Sequence, residues 1–218
     1  MMTNSDRLAF LETLFTPLVS DTMDRLGITG YVFDHTIQSI LPDPHLRVAG
    51  FAFPCRVVPT TEYVEIHKLL EMVDAIPSDS IVLVSSDADI DAALWGGLMS
   101  TRAKSLGARA AIVGGGVRDI AQISALGFPV FGIYRCVKDI RRRGYMAEYD
   151  IVVEIGGVRV RPGDIIFADA NGVVCIPSEH SDVIFDALRT NLRGEERTAA
   201  DLLLGKKAVD VFGEYGTF

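Results

Sequence analysis

The chain has few residues of the types that build disulfide frameworks or multi-ligand metal clusters. Its 218 residues include only three cysteines and four histidines. Cys55, Cys136 and Cys175 are far apart in sequence, and their odd number favours neither a disulfide framework nor a paired-cysteine metal site. The histidines show no metal-ligand spacing.

Positive charge is also scarce, with 21 Lys and Arg against 29 Asp and Glu, a net charge of -8. This argues against a nucleic-acid partner, because phosphate binding needs clustered basic residues. The one basic run, residues 138–143, contains an acid and is interpreted as a solvated or interface surface. No apolar run reaches the ~18 residues of a membrane span, and the N-terminus has no signal-peptide pattern. We expect a cytoplasmic protein without a membrane partner.

Hydrophobic residues make up 49% of the chain, which is ample for a core. Their periodicity alternates between strand and helix and then changes to short strands separated by glycine turns, which predicts an α/β fold with a central mixed sheet and covering helices. A single domain over 1–218 is expected, with N-terminal helices in 1–46, an α/β core in 47–177 and C-terminal helices in 178–218. We predict strands over 47–58, 80–86, 110–113, 129–134, 151–155, 158–160, 165–168 and 173–176, and helices within 5–27, 63–73, 90–106, 120–126, 178–192 and 198–212.

A glycine run leads into a basic and an acidic residue. Gly114–Gly116 follow the apolar run 110–113 and precede Arg118 and Asp119. Glycines at a strand end let the backbone pass close to a ligand and adopt positive φ, and the two charged residues suit an anion and a metal. The alternative is a tight turn in which Asp119 lies in the first helical turn, favoured by the dipole, and Arg118 is a surface residue. The hexapeptide alone does not decide between them.

A second glycine pair, Gly96–Gly97, lies inside a segment with helical periodicity. Two glycines cost about 1 kcal/mol each in a helix interior, so they fit better in a strand-to-helix turn. The N–H groups of such a turn face outward and bind carboxylates. The alternative is that both glycines relieve packing against a neighbouring helix.

Several motifs occur in order along residues 80–176, in the segments 95–99, 116–119, 127–131, 156–158, 162–164 and 168–173, and a further one lies at 211–216. Together they resemble the RraA-like family. That family contains class II 4-hydroxy-4-methyl-2-oxoglutarate aldolases with oxaloacetate decarboxylase activity, and inhibitors of a bacterial ribonuclease. The resemblance covers most of the chain and implies a swivelling β/β/α-type domain, a homotrimer or hexamer, and a site near a subunit boundary.

The resemblance also implies roles for particular residues. Asp119 would hold a divalent cation, Mg²⁺ or Mn²⁺, and Arg118 would contact a 2-oxo acid substrate. Glu195 and Glu196 fall where the aldolases supply an outer-sphere acid from a neighbouring subunit, although their sequence is also typical of a helix start. The backbone expected to receive the substrate carboxylate is that of Gly96, Gly97, Leu98 and Met99.

Elementary chemistry agrees with these roles. A 2-oxo acid offers two oxygens to a hard cation, and breaking its C3–C4 bond leaves an enolate, which the cation and Arg118 would stabilise. Arg118 stays protonated and has directional donors. We therefore expect a metal-dependent lyase for a small 2-oxo dicarboxylic acid, acting by retro-aldol cleavage, oxaloacetate decarboxylation or both. The alternatives are a non-catalytic RraA-type regulator of ribonuclease activity and a specialised enzyme with the same enolate-stabilising site.

The sequence departs from the family pattern at two places. Gly97 stands where many family aldolases carry an acid that positions a catalytic water, which puts retro-aldol chemistry in doubt more than decarboxylation. Ile133 stands where an arginine is frequent, and the later Arg135 is interpreted as a surface residue. Asp164 and Asp169 lie in turn sequences and are interpreted as local partners of the backbone rather than catalytic residues.

Overall fold

The computed structural model describes residues 2–215, except for the side chain of Glu196. These residues form seven α-helices, eleven β-strands and a short 3₁₀ turn. The helices are α1 (Asn4–Leu11), α2 (Thr16–Arg25), α3 (His67–Asp74), α4 (Gly97–Ser105), α5 (Ile120–Leu126), α6 (Ser181–Leu203) and α7 (Ala208–Tyr215). The strands are β1 (Gln38–Ser39), β2 (Arg47–Pro59), β3 (Ser80–Ser86), β4 (Ala93–Trp95), β5 (Ala110–Val117), β6 (Val130–Arg135), β7 (Gly144–Tyr149), β8 (Val153–Ile155), β9 (Val158–Val160), β10 (Ile165–Asp169) and β11 (Gly172–Ile176).

Nine of the strands form one mixed sheet in the order β1-β6-β5-β3-β2-β10-β11, with β4 added to β5 and β7 added to β2. The strands β2, β3, β5 and β6 pair in parallel. Their neighbours β1, β7 and β10 pair antiparallel with them, and β8 and β9 form a separate hairpin. The predicted α/β fold with a mixed sheet and covering helices is confirmed.

The central strands are buried on both faces, as parallel strands usually are. Residues Ile81 to Val84 of β3 have no exposed surface. One face packs against α3, α4 and α5, and the other packs against the β8–β9 hairpin. A third cluster joins α1, α2 and α6 to β10 and β11. None of the described helices combines the length and hydropathy needed to cross a bilayer.

Most predicted elements are confirmed, and three differences bear on the site. The first half of the predicted helix 90–106 is wrong, because residues 93–95 pair with β5 as β4 and the helix begins only at Gly97. The strand predicted over 110–113 continues through the glycines to Val117. The strands β1 and β7 were not predicted.

Candidate active site

Arg118 and Asp119 lie where β5 ends and α5 begins. The preceding glycines belong to the strand and none of them has positive φ, so close approach rather than backbone freedom requires glycine there. A Cβ at Gly116 would lie only 2.6 Å from the carbonyl oxygen of Ala92. Any side chain at Gly116 would therefore push β4 and the segment before it away from β5.

Asp119 has a left-handed backbone, with φ 60° and ψ 41°. This conformation is strained for a residue with a Cβ, and Asp and Asn tolerate it best. The carboxylate does not cap α5. Its Oδ2 instead accepts a hydrogen bond of 3.0 Å from the backbone N–H of Gly97, at the start of α4. The alternative in which Asp119 lies in the first turn of α5 is therefore wrong.

Gly96 joins β4 to α4 and lies against both charged residues. The strand-to-helix turn predicted for the glycine pair is confirmed. A Cβ at Gly96 would lie 2.8 Å from Oδ2 of Asp119 and 3.0 Å from Cγ of Arg118. The backbone N–H of Arg118 donates to the carbonyl of Trp95 at 3.1 Å. Gly96 thus makes room for Arg118 and Asp119 beside the turn.

The first turn of α4 supplies backbone donors to the same place. The Gly97 N–H is already bonded to Asp119. Those of Leu98 and Met99 have no intrahelical acceptor, because the first turn of a helix lacks one. A helix N-terminus also favours anions. The predicted carboxylate contact therefore fits the backbone of Leu98 and Met99 better than that of Gly97.

Arg118 has a second carboxylate partner that the sequence prediction missed. Its Nη1 donates to Oδ2 of Asp139 at 3.2 Å, while its Nε lies 3.7 Å from Oδ2 of Asp119. Burial opposes ionisation of Asp139, but hydrogen bonds from the backbone and side chain of Arg141 and from Arg118 outweigh it and lower the pKa of Asp139 below its ordinary value. Asp139 is the acid inside the basic run 138–143. The only sequence feature that could have pointed to it is that it interrupts this run.

A small cleft of about 60 Å³ opens beside these groups. Its floor is mostly apolar, and Arg118 and Asp119 lie at its charged side. Small-molecule sites usually have volumes of ~300–1,000 Å³, so the cleft of one chain does not enclose a substrate. The lining residues are Leu69, Ala93, Leu94, Trp95, Gly96, Leu98, Met99, Arg118, Asp119 and Ile140.

The carboxylate of Asp119 fits a hard divalent cation. The side chain is 39% exposed, and its Oδ1 accepts no hydrogen bond from the described residues, whereas Oδ2 faces Gly97 and Arg118. Carboxylate oxygens are the ligands that Mg²⁺ and Mn²⁺ prefer. Within the described part of the chain, no three His, Cys, Asp or Glu side chains cluster as a metal site. A cation here would keep most of its positions for water or substrate.

Glu195 lies on α6, where α2 lies against it. Its Oε2 is buried without a hydrogen-bond partner in residues 2–215. Burial raises the pKa of Glu195, Asp21 raises it further and Arg25 opposes the rise. The role of Glu195 at a neighbouring subunit's site stays a prediction, and the side chain of Glu196 lies outside the described residues.

Three other candidates, Arg135, Asp164 and Asp169, form hydrogen bonds within the fold. The guanidinium of Arg135 donates to a backbone carbonyl at 3.0 Å, and Ile133 is 41% exposed. Asp164 and Asp169 are buried and accept local backbone hydrogen bonds, as predicted, but both also accept from distant backbone N–H groups, 14 and 153 residues away in sequence.

Comparison with known proteins gives consistent matches. A family model described as RraA-like, Aldolase/RraA, matches residues 16–175. The chain is 30% identical over 191 residues to protein DlpA of Legionella pneumophila, covering 86% of the chain but only 30% of that protein. It is 29% identical to a Halalkalibacterium halodurans protein provisionally named 4-hydroxy-4-methyl-2-oxoglutarate aldolase, covering 89% of the chain and 88% of that protein.

A solved structure shows the same fold. Streptomyces coelicolor RraAS2, described as an unusual member of the RNase ES inhibitor RraA family, superposes with a TM-score of 0.79. The match covers 91% of this chain and 98% of RraAS2, at 20% sequence identity.

Proposed function

We propose that this chain, which belongs to the RraA-like family, is a divalent-metal-dependent lyase that cleaves a carbon–carbon bond of a small 2-oxo dicarboxylic acid. The observation that carries the proposal is the contact of Asp119 with the N–H of Gly97. That contact brings an exposed carboxylate, the Arg118 guanidinium and the N-terminus of α4 to one cleft. The combination matches the charge distribution of a 2-oxo acid, which has a carboxylate beside a polarisable ketone.

The residues of the chain divide the work of binding and charge stabilisation. The N–H groups of Leu98 and Met99 bind the carboxylate next to the ketone, and Arg118 donates to the oxygen on which negative charge develops when the C3–C4 bond breaks. Asp119 would hold the cation through Oδ1, the oxygen that accepts no hydrogen bond from the described residues. When bound, the cation supplies Lewis acidity that withdraws electrons from the 2-oxo group.

The reactions differ in what they require from the protein. Decarboxylation of oxaloacetate releases CO₂ without a base, whereas retro-aldol cleavage of 4-hydroxy-4-methyl-2-oxoglutarate also needs a base for the C4 hydroxyl proton. Gly97 offers no side chain for that purpose. We therefore place oxaloacetate decarboxylation ahead of the aldol reaction for this chain.

A homo-oligomer, trimeric or hexameric, is part of the proposal. Leu98 lines the cleft and is 87% exposed, so a partner that covered it would remove apolar surface from water. A neighbouring subunit over this residue would enclose the small cleft. Light scattering at micromolar concentration tests this, and a monomeric mass would count against it.

A regulator without catalysis is the second candidate, favoured by the missing acid at Gly97 and by the RraA-type fold. Asp119 distinguishes the enzyme from the regulator, because a surface that only binds a protein needs no exposed carboxylate beside an arginine and the first N–H groups of a helix.

The deciding experiment measures pyruvate release from oxaloacetate and from 4-hydroxy-4-methyl-2-oxoglutarate with Mg²⁺ or Mn²⁺. We expect turnover that a chelator abolishes and that added metal restores. The matched control is Asp74→Asn, because Asp74 pairs with Arg102 on α4 but lies outside the cleft. Absence of metal-dependent turnover with a panel of 2-oxo acids would reject the proposal.

A further inference from the structure

Arg118 is held between two carboxylates that contact different parts of its guanidinium. Asp139 accepts from Nη1 at 3.2 Å, and Asp119 lies 3.7 Å from Nε, beyond hydrogen-bond length. A guanidinium has a fixed planar set of donors, so fixing Nη1 also fixes the direction of the other N–H groups. The contact with Asp139 therefore decides which edge of Arg118 faces Asp119.

Asp139 is itself held in place. Its Oδ1 accepts from the backbone N–H of Arg141 at 2.8 Å and from the Arg141 Nε at 3.0 Å, and its backbone carbonyl accepts from Nη1 of Arg143 at 3.1 Å. Oδ2 faces Arg118 and also accepts from the Arg141 Nη2 at 3.4 Å. The basic run after β6 thus serves to orient one carboxylate toward the cleft.

The exposure of the pair indicates that it contributes little to folding stability. The side chains of Arg118 and Asp139 are 38% and 34% exposed, and ion pairs exposed to this degree add little to stability. What the pair controls is the direction of the Arg118 donors and the amount of guanidinium charge left for Asp119.

We infer that Asp139 is a positioning residue for Arg118, an inference that rests on the proposed function. By taking Nη1, Asp139 turns the Nε and Nη2 edge of Arg118 toward Asp119 and the start of α4, where the substrate carboxylate and ketone bind. It also competes with Asp119 for the guanidinium. The Asp119 carboxylate therefore remains open to a cation instead of closing onto Arg118.

The substitution Asp139→Asn tests the inference through the direction of the change in KM. Simple charge removal near an anionic substrate would lower KM for oxaloacetate, because a repulsive carboxylate is gone. Loss of positioning would raise it. We expect KM to rise about tenfold with the melting temperature unchanged, and kcat to fall as well, because Arg118 also donates to the oxygen that becomes negative in the transition state.

Two comparisons isolate the route through Arg118. Asp74→Asn breaks a more exposed Asp–Arg pair, between Asp74 and the Nε of Arg102 at 2.8 Å, and should leave KM unchanged. In an Arg118→Lys background, Asp139→Asn should change KM less than about twofold, because an ammonium has no planar edge to orient. A tenfold effect that persists with Lys at position 118 would overturn the inference.

The outcomes separate this inference from the proposed function. A wild-type protein that turns over no 2-oxo acid rejects both. A wild-type protein that is active, with an unchanged or lower KM in a folded Asp139→Asn variant, rejects only the positioning role. Should Asp139→Asn fail to fold, Asp139→Glu keeps the charge but displaces the carboxylate; a KM increase of a few fold supports the inference, and an unchanged KM overturns it.

Discussion

Asp119 and Asp164 both lie at ends of strands in the same sheet, and their surroundings are opposite. Asp164 has no exposed surface; its Oδ1 accepts from the Ser178 N–H at 2.9 Å and its Oδ2 from the Arg161 N–H at 2.8 Å. Asp119 is exposed, its carboxylate accepts one backbone hydrogen bond from the described residues, and its own backbone is strained. The difference teaches that a carboxylate whose bonds are complete serves the fold, whereas one that is positioned but incompletely bonded is available for a ligand.

The largest effect is expected from Asp119→Asn. Asn tolerates the left-handed backbone and its carbonyl still accepts from Gly97, so the fold should be kept. Loss of the anionic ligand should lower turnover about 10³-fold, equivalent to about 4 kcal/mol. Coupled pyruvate assays and thermal unfolding measure the two quantities. Turnover within tenfold of wild type would show that Asp119 is not required for the reaction and that its role does not differ from that of Asp164 in the way proposed.

The same substitution at Asp164 should lower the stability of the fold instead of the turnover. An amide there must present its NH₂ to a backbone N–H of Ser178 or Arg161, which leaves a buried donor unsatisfied. We expect Asp164→Asn to lower the free energy of unfolding by about 3 kcal/mol, with kcat of the folded fraction unchanged. Urea denaturation and active-site-normalised assays test this. A stable variant that had lost activity would reverse the assigned roles.

A smaller effect is expected from placing a third carboxylate at the glycine turn. Gly97→Asp would supply the missing base. Because Gly97 does not have positive φ, the substitution should cause no backbone strain. Its cost in stability comes from close contacts, since the new Cβ would lie 3.1 Å from Cβ of Asp119 and 3.2 Å from Cβ of Gln122. We expect the ratio of retro-aldol to decarboxylation turnover to rise about tenfold. Parallel assays of both substrates measure it. An unchanged ratio would mean that another group supplies the base.

The smallest effect concerns Glu195, which is partly buried and whose Oε2 has no hydrogen-bond partner among the described residues. Because its pKa is raised in the folded protein, the folded state holds this proton more tightly than the unfolded chain, and stability declines as pH rises above the ordinary pKa of 4.5. Glu195→Gln should therefore raise Tm by about 1 °C at pH 7 and leave it unchanged below pH 4.5. A lower Tm at pH 7 would show that the charge has a stabilising partner.

The sequence predicted much of the fold because its local and long-range signals agree. The buried strand β3 and the helix α5 have uninterrupted apolar periodicity between clear turn residues, and both were predicted with their observed bounds. The short strands β1 and β7 depend on pairing with β6 and β2. Such pairing is a tertiary effect that a local pattern does not contain.

The site was predicted in part for the same reason. Arg118, Asp119 and the glycine pair were found because glycine punctuates strand ends and turns. The contact between Asp119 and Gly97, 22 residues apart, requires β4 to pair with β5, and helical periodicity concealed β4. Asp139 was missed because its partner Arg118 lies 21 residues away, and a lone acid in a basic run has no local signature.

The left-handed backbone at Asp119 also limits how this position can change in the coding DNA. Glycine, asparagine and aspartate tolerate that conformation, and each aspartate codon is one base from an asparagine codon and one base from a glycine codon. A single point mutation can therefore remove the carboxylate and leave the turn intact. The loss of the carboxylate and the loss of the turn are separate genetic events on this scaffold.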